Sequence, residues 1–255
     1  MAMFTLTSAS GSPGVTTLSV GLALTWPRAV VLVEADPSAG SSILAGFCTG
    51  LARPGLSELV LAHEHHQLAA EMASRLFPLA ESQASLLAGL RSPRQAGSLS
   101  GFWDALLGAL RDMEARTGVD VLVDAGRLGT VGGAEPLVSE SDVTVVVTGT
   151  GLPELARVRS WLPRLRHAAL GEVRLVVVGR VRPYSSSEVE KALEVPVISQ
   201  VAWDADAARW WSHGEPQHRS DRSTLARSVT ALGAALREMS DTADELGHVR
   251  AGAER

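Results

Sequence analysis

The feature that most constrains this chain is a repeated alternation. Short runs of valine, leucine and alanine, bounded by Gly, Pro or Asp, are separated by stretches whose apolar residues recur at helical spacing. A run apolar at every position is a strand buried on both faces, and a chain achieves that by laying helices over a parallel sheet. Six runs read as strands: Met3–Ser8, Ala29–Glu34, Val119–Val123, Val143–Thr148, Val173–Val178 and Pro196–Ala202. Their brevity and β-branched content favour strand over buried helix. Between them, Trp103, Leu106, Leu107, Leu110 and Met113 form one apolar stripe, and Leu155, Val158, Leu162 and Leu165 form another. Leu225, Val229, Leu232, Leu236 and Met239 form a third, entered through Ser220–Ser223, a segment suited to capping a helix. The expected architecture is α/β, a mostly parallel twisted sheet with helices on both faces.

The stretch Ser38–Ser100 mixes Gly and Pro breaks with a helix expected over Ser57–Arg75 and a short apolar run at Leu86–Leu90. No repeat, low-complexity tract or linker divides the chain. Residues 1–255 are therefore expected to form a single domain, with roughly the last ten residues frayed. A net charge of -5 argues against a generally basic nucleic-acid coat, so DNA binding has to be argued locally. Cys48, the lone cysteine, cannot form an internal disulfide, and Lys191 is the only lysine. The N-terminus has no basic, apolar leader, and no segment approaches the roughly 18 apolar residues of a membrane span. The expected location is cytoplasmic, without membrane insertion.

The first strand runs into the small-residue loop Ala9–Gly14 and then a helix opened by Thr16 and Thr17. Strand, small-residue loop and helix make the layout of a phosphate loop: backbone N–H groups face an anion, and the helix start adds partial positive charge. A plain strand-turn-helix joint has the same look, so the rest of the chain has to decide.

Three further segments follow in order: VLVEADPSAG from Val31, VDVLVDAGRLG from Val119, and DVTVVVTGTGLPELARVR from Asp142. With the loop, they resemble the ParA/MinD-type (SIMIBI class) P-loop ATPases over most of the chain outside Leu51–Ser100. The resemblance implies that Gly11, Ser12, Pro13, Gly14, Val15, Thr16 and Thr17 bind nucleotide; Arg127 and Arg180 leave the carboxyl edge of the sheet, where ligands of such folds sit, and read either as further nucleotide contacts that substitute in part for lysine or as ordinary exposed loop arginines. It implies ATP and Mg²⁺ as cofactors, with Thr16 and Asp124 as the metal partners and Asp36 as the catalytic acid that positions water. The loop departs from that pattern at two places. Val15 stands where the family has the lysine that contacts the β- and γ-phosphates, and Ser10 where it has the lysine that reaches into a partner subunit.

Because phosphoryl transfer depends on neutralising charge at the transferring group, these losses predict little or no ATP hydrolysis. The function expected from the resemblance is a degenerate positioning or assembly factor, similar to members that localise pilus and secretion machinery. It would bind protein partners, and a homodimer is consistent with the family. The alternatives are an active ATPase that partitions DNA or cargo using arginine for lysine, and a small-molecule ligase or reductase on the same fold. No acid/base or nucleophile set supports the latter.

Four other features have a bland reading beside a functional one. Arg157, Arg159, Arg164, Arg166, Arg174, Arg180 and Arg182 face only Glu154 and Glu172, which marks a DNA candidate or a solvated helix face. His63, His65 and His66 lack metal-ligand spacing and read as a polar helix face. The adjacent Trp210 and Trp211 cannot share one narrow helical face, so one is open to a partner unless both pack at a helix edge. The C-terminal stripe invites comparison with the membrane anchor of MinD proteins, but Glu238, Asp241, Asp244 and Glu245 would repel anionic lipid, so it reads as a core helix.

Overall fold

The computed structural model describes residues 1–11, 13–99, 101–179, 183–215 and 222–253. Among them eight strands form one sheet: β1 (Met3–Ser8), β2 (Val30–Glu34), β3 (Phe77–Pro78), β4 (Ala84–Leu87), β5 (Asp120–Arg127), β6 (Val143–Thr148), β7 (Glu172–Val178) and β8 (Val197–Val201). Their spatial order is β3-β4-β2-β5-β1-β6-β7-β8, and every pairing is parallel except that of the two-residue β3. The central strand β1 therefore has its loop at a point where neighbouring connections diverge, the usual crevice of such sheets.

Among the described residues ten α-helices cover the two faces: α1 (Val15–Thr25), α2 (Ser42–Ala45), α3 (Leu56–Glu64), α4 (Leu68–Arg75), α5 (Phe102–Thr117), α6 (Glu135–Ser139), α7 (Leu152–Ala168), α8 (Ser186–Leu193), α9 (Ala205–His213) and α10 (Thr224–Ala253). Alternation along each strand divides the core in two. Phe4 and Leu6 of β1 share one layer with Leu18 and Leu22 of α1, Trp211 of α9, and Leu225, Val229, Leu232 and Leu236 of α10. Val31 and Val33 share the other with Leu56 and Leu59 of α3, Leu106 and Leu110 of α5, and Val158 and Leu162 of α7. Truncating any of these leucines to alanine costs about 2–5 kcal/mol. The C-terminal stripe is thus a core element, and among the described residues no helix is long and apolar enough to cross a membrane.

Two readings of the middle change. The helix expected over Ser57–Arg75 is two, α3 and α4, because the chain turns at His66, whose φ of 57° is left-handed and stops helical hydrogen bonding. The apolar run at Leu86–Leu90 begins within a strand, since β4 pairs with β2 over Val30↔Ala84 to Val33↔Leu87.

At the amino edge of the sheet, Asp120 ties three segments together. It receives Arg28 through two nitrogens at 2.5 Å each, Trp26 Nε1 at 2.8 Å and the Ala2 backbone N–H at 3.0 Å. Burial alone would raise its pKa, but the donors from Arg28, Trp26 and Ala2 hold it below the ordinary carboxylate value.

Candidate phosphate-binding site

At the opposite, carboxyl edge, β1 delivers the loop to α1. Gly14 takes φ 88° and ψ 27°, a left-handed turn that places it as the N-cap, and no side chain caps the helix. A helix start leaves its first N–H groups without intrahelical acceptors, so α1 presents donors and partial positive charge to whatever lies ahead. What lies ahead is a cavity of about 430 Å³ whose walls include Pro13, Gly14, Val15, Thr16, Thr17, Asp36, Ser42, Ile43, Gly126, Arg127, Trp211 and Ser212. A second cavity of about 130 Å³ shares Pro13, Gly14, Thr17 and Trp211 with it and continues between Val178, Val201 and Leu225.

The sheet is irregular where it feeds the cavity. Leu6 pairs with Asp124, but Ser8 pairs with Arg127, so β5 carries a bulge around Ala125 and Gly126. Gly126 has φ 61°, and a Cβ there would lie 2.2 Å from Asp36 Oδ2, so only glycine lets that carboxylate pack on the bulge. Asp36 Oδ1 accepts the Ser38 N–H at 2.8 Å and the Ser38 hydroxyl.

Asp124 is wholly buried. Its Oδ1 accepts the Gly126 N–H at 3.1 Å, while among the described residues Oδ2 has no hydrogen-bond partner. Burial is the main force raising its pKa to about 7; the Thr16 hydroxyl and the Gly126 N–H oppose the rise, and Glu34 and Asp36 add to it. Thr16 lines the cavity in the first turn of α1. An orphaned, buried carboxylate oxygen beside a threonine hydroxyl suits a hard cation such as Mg²⁺, which takes oxygen ligands and keeps several waters.

Val15 is 6% exposed and forms part of the cavity wall, and Ser10 is 5% exposed. Arg127 is exposed on the same wall and makes no ion pair among the described residues. Gly11 is described and uncrowded, whereas Ser12 and Arg180 lie outside the described residues. Lys191 sits exposed on α8 and does not line the cavity.

One contributor escaped the sequence reading. Glu34, 4% exposed at the end of β2, accepts the Ser41 hydroxyl at 2.5 Å, the Gly89 N–H at 2.9 Å and the Ile43 N–H at 3.3 Å. It pins the segment entering α2 against the end of β4. An acid closing the apolar run Val30–Val33 was the available signal.

The remaining candidates separate. Arg166 donates to the Leu193 and Glu194 carbonyls, Arg174 pairs with Glu172 at 2.5 Å, and Arg164 lies over the Trp161 ring at 5.5 Å. Arg157 and Arg159 are exposed on α7, and Arg182 lies outside the described residues. His63 meets the edge of Phe102, and among the described residues no group of three His, Cys, Asp or Glu is placed to hold a metal. Trp211 is buried against Gly21, where a Cβ would lie 2.6 Å from its ring, and Trp210 is half-buried, 6.3 Å from Phe47.

A parallel sheet with a glycine-capped helix after its central strand, facing an orphaned aspartate, defines a P-loop NTPase-like α/β protein. No protein-family model and no curated protein matches the chain. Solved structures do. The septum site-determining protein MinD complexed with Mg-ADP from Pyrococcus horikoshii OT3 superimposes with a TM-score of 0.76 at 13% identity, covering 94% of this chain and 97% of that one. The MinD cell division protein of Aquifex aeolicus gives 0.72 at 15%, with 93% and 98% covered. A ParA family ATPase from Chlorobium tepidum TLS gives 0.68 at 17%, with 91% and 97% covered. The chain has the ParA/MinD-type fold, and at these identities the likeness speaks for the fold alone.

Proposed function

We propose that this chain is a degenerate ParA/MinD-like positioning or assembly factor of the cytoplasm. In this reading it binds protein partners, takes a Mg²⁺-bound nucleotide, and turns that nucleotide over slowly or not at all. The observation that carries the reading is the make-up of the site: Thr16 and an open helix start on the cavity wall and the buried Asp124 behind it remain, while the neutral Val15 stands where the resemblance puts a lysine. Thr16 and Asp124 would hold the metal, which when bound supplies charge neutralisation at the phosphates. The first turn of α1 would orient the phosphates, and Asp36 would hold a water. Losing one preorganised charge typically costs about 100-fold or more in rate. Support for partners comes from relatives of the same fold, one of which is solved as the MinC:MinD cell division protein complex of Aquifex aeolicus. A localisation or secretion assembly is the setting the resemblance suggests.

A phosphate-release assay on pure protein tests this. Turnover indistinguishable from buffer is expected; turnover that disappears in Asp36→Ala would overturn the reading. It would favour the rival in which Arg127, free on the cavity wall, stands in for the lysine of a partitioning ATPase. Val15→Lys is expected to strengthen nucleotide binding more than hydrolysis, since Ser10 stays neutral; calorimetry that registers no gain would count against Val15 as the phosphate-contacting position.

A further inference from the structure

We infer that the groove between α7 and α8 is a docking surface for a protein partner that presents an amphipathic helix with acidic flanks. The inference rests on the partner-binding half of the reading above and gives that partner a chemistry.

The core side of α7 is made by Leu155, Val158, Leu162 and Leu165. A helix that only covers the sheet is polar on its other side, and the first two turns of α7 depart from this. Leu152 is 63% exposed, and the exposed Ala156 and Arg159 follow it at i+4 and i+7 on one stripe. The short α8 buries Val189 and Leu193 and leaves Ala192 exposed. A cavity of about 340 Å³ lies between the two helices, its walls including Leu152, Leu155, Ala156, Tyr184, Ala192 and Leu193. From Leu152 to Arg159 the helix rises about 10 Å, so the groove takes about two turns of a partner helix. Ala156 and Ala192 keep its sides low. The walls offer side chains rather than a free strand edge, which selects apolar anchors at helical spacing over an extended peptide.

Charge decides which amphipathic helix fits. Along α7, Arg157, Arg159, Arg164 and Arg166 stand against Glu154 alone. The acids of the two helices are committed to the protein's own N–H groups: Glu154 accepts from Gly151 at 2.8 Å, Glu188 from Ser185 at 2.8 Å and Glu190 from Val197 at 3.0 Å. Glu154 and Glu188 stand in the first turns of α7 and α8, where the positive end of each helix offsets their charge. Glu194 lines a separate cavity with Arg166 and Arg174. The exposed Arg157, Arg159 and Lys191 make no ion pair or side-chain hydrogen bond among the described residues, and Arg159 lines the groove itself. An acidic flank meets free cations there, whereas a basic one is repelled.

Fluorescence anisotropy of the full chain with two labelled model helices tests this. One has leucines at i, i+3, i+4 and i+7 and glutamates elsewhere; the other has lysines in place of the glutamates. The glutamate helix is expected to bind, more weakly as salt rises, and the lysine helix not to bind. Leu152→Glu and Ala156→Trp change exposed side chains, so neither demands repacking. The first removes the apolar anchor and the second fills the groove at constant charge, and each should weaken the glutamate helix about tenfold or more. Arg159→Glu should weaken it too, and admit the lysine helix. Equal binding of both helices, binding of neither, or binding of the glutamate helix that survives Ala156→Trp would overturn the inference. A dimer of the chain that Leu152→Glu dissolves would also overturn it, by assigning the groove to a second copy. None of these results touches the nucleotide, so the inference can fail while the reading of slow turnover stands, and the phosphate-release assay can sink that reading while the groove stands.

Discussion

Asp120 and Asp124 stand four residues apart on β5, at opposite edges of the same sheet, and both side chains are buried. Asp120 is saturated: two guanidinium nitrogens, an indole and a backbone N–H converge on it, and its pKa falls. Asp124 has one backbone donor, an orphaned oxygen and two acidic neighbours, and its pKa rises to about 7. The same residue type on the same strand is thus a fastener at one end and a liability at the other. A fold tolerates an unsatisfied buried acid where something other than the polypeptide is to satisfy it, and the cavity beside Asp124 gives such a group a place.

The largest expected effect tests the fastener. Asp120→Ala leaves Trp26 Nε1 and the Ala2 N–H without this acceptor and breaks the ion pair with Arg28. Breaking a buried pair costs 3–5 kcal/mol, and since Arg28 keeps 36% of its side chain in water the loss should be about 3 kcal/mol. Urea unfolding at pH 7 measures it. A loss below about 1 kcal/mol would make the network an ordinary surface ion pair.

The liability should behave in the opposite sense. With its folded pKa raised from 3.8 to about 7, Asp124 penalises the ligand-free fold progressively as pH climbs through that window, with a ceiling of about 4 kcal/mol. Asp124→Asn removes the charge at nearly constant shape. The variant should match wild type near pH 4 and exceed it by about 2 kcal/mol at pH 8, while losing the Mg²⁺ dependence of nucleotide binding. Asp120 slopes the other way, its contribution vanishing as pH falls below the ordinary carboxylate range, so the two edges can be separated in one pH series. A wild-type curve flat between pH 4 and 8 would remove the electrostatic contrast. A smaller effect is expected behind the cavity wall at Trp211: Gly21→Ala pushes a methyl into the Trp211 ring and should cost about 1–2 kcal/mol by overpacking, readable as a shift in thermal midpoint.

Legibility in the sequence follows the same division. β1 and β6 are read to their ends, because each is a dense apolar run cut off sharply, and Asp124 could be singled out from the motif that contains it. β4 was hidden, since four residues, Ala84–Leu87, carry no period of their own and become a strand only by pairing with β2. Helices α8 and α9 bury two residues apiece, Val189 with Leu193 and Ala207 with Trp211, too few to make a stripe visible against the background. Glu34 is visible as an acid ending an apolar run, but its donors come from Ser41, Ile43 and Gly89, and the last of these lies fifty-five residues away. Local pattern exposes what a segment is; the charge balance of the cavity depends on which segments meet, and only the fold supplies that.

The smallest expected effect is none at all, and it concerns assembly. A ligand shifts an equilibrium between states only through contacts it makes in one and not the other, and a tenfold shift requires about 1.4 kcal/mol of such difference. Two routes by which nucleotide would supply it are closed here. The position the resemblance assigns to a lysine reaching across to a partner is Ser10, short, neutral and buried. The segment from Ser41 to Ile43, which brings Ser42 and Ile43 to the cavity wall, is already held by Glu34. The chain should therefore be a monomer or a constitutive dimer, and the same one with or without Mg²⁺ and nucleotide. Sedimentation velocity over a range of protein concentrations, with ADP, with ATP and with neither, should return one set of sedimentation coefficients. A monomer that becomes a dimer only with ATP would break the argument at its root, because some contact outside Ser10 and the Glu34-held segment would then be carrying nucleotide state to the surface.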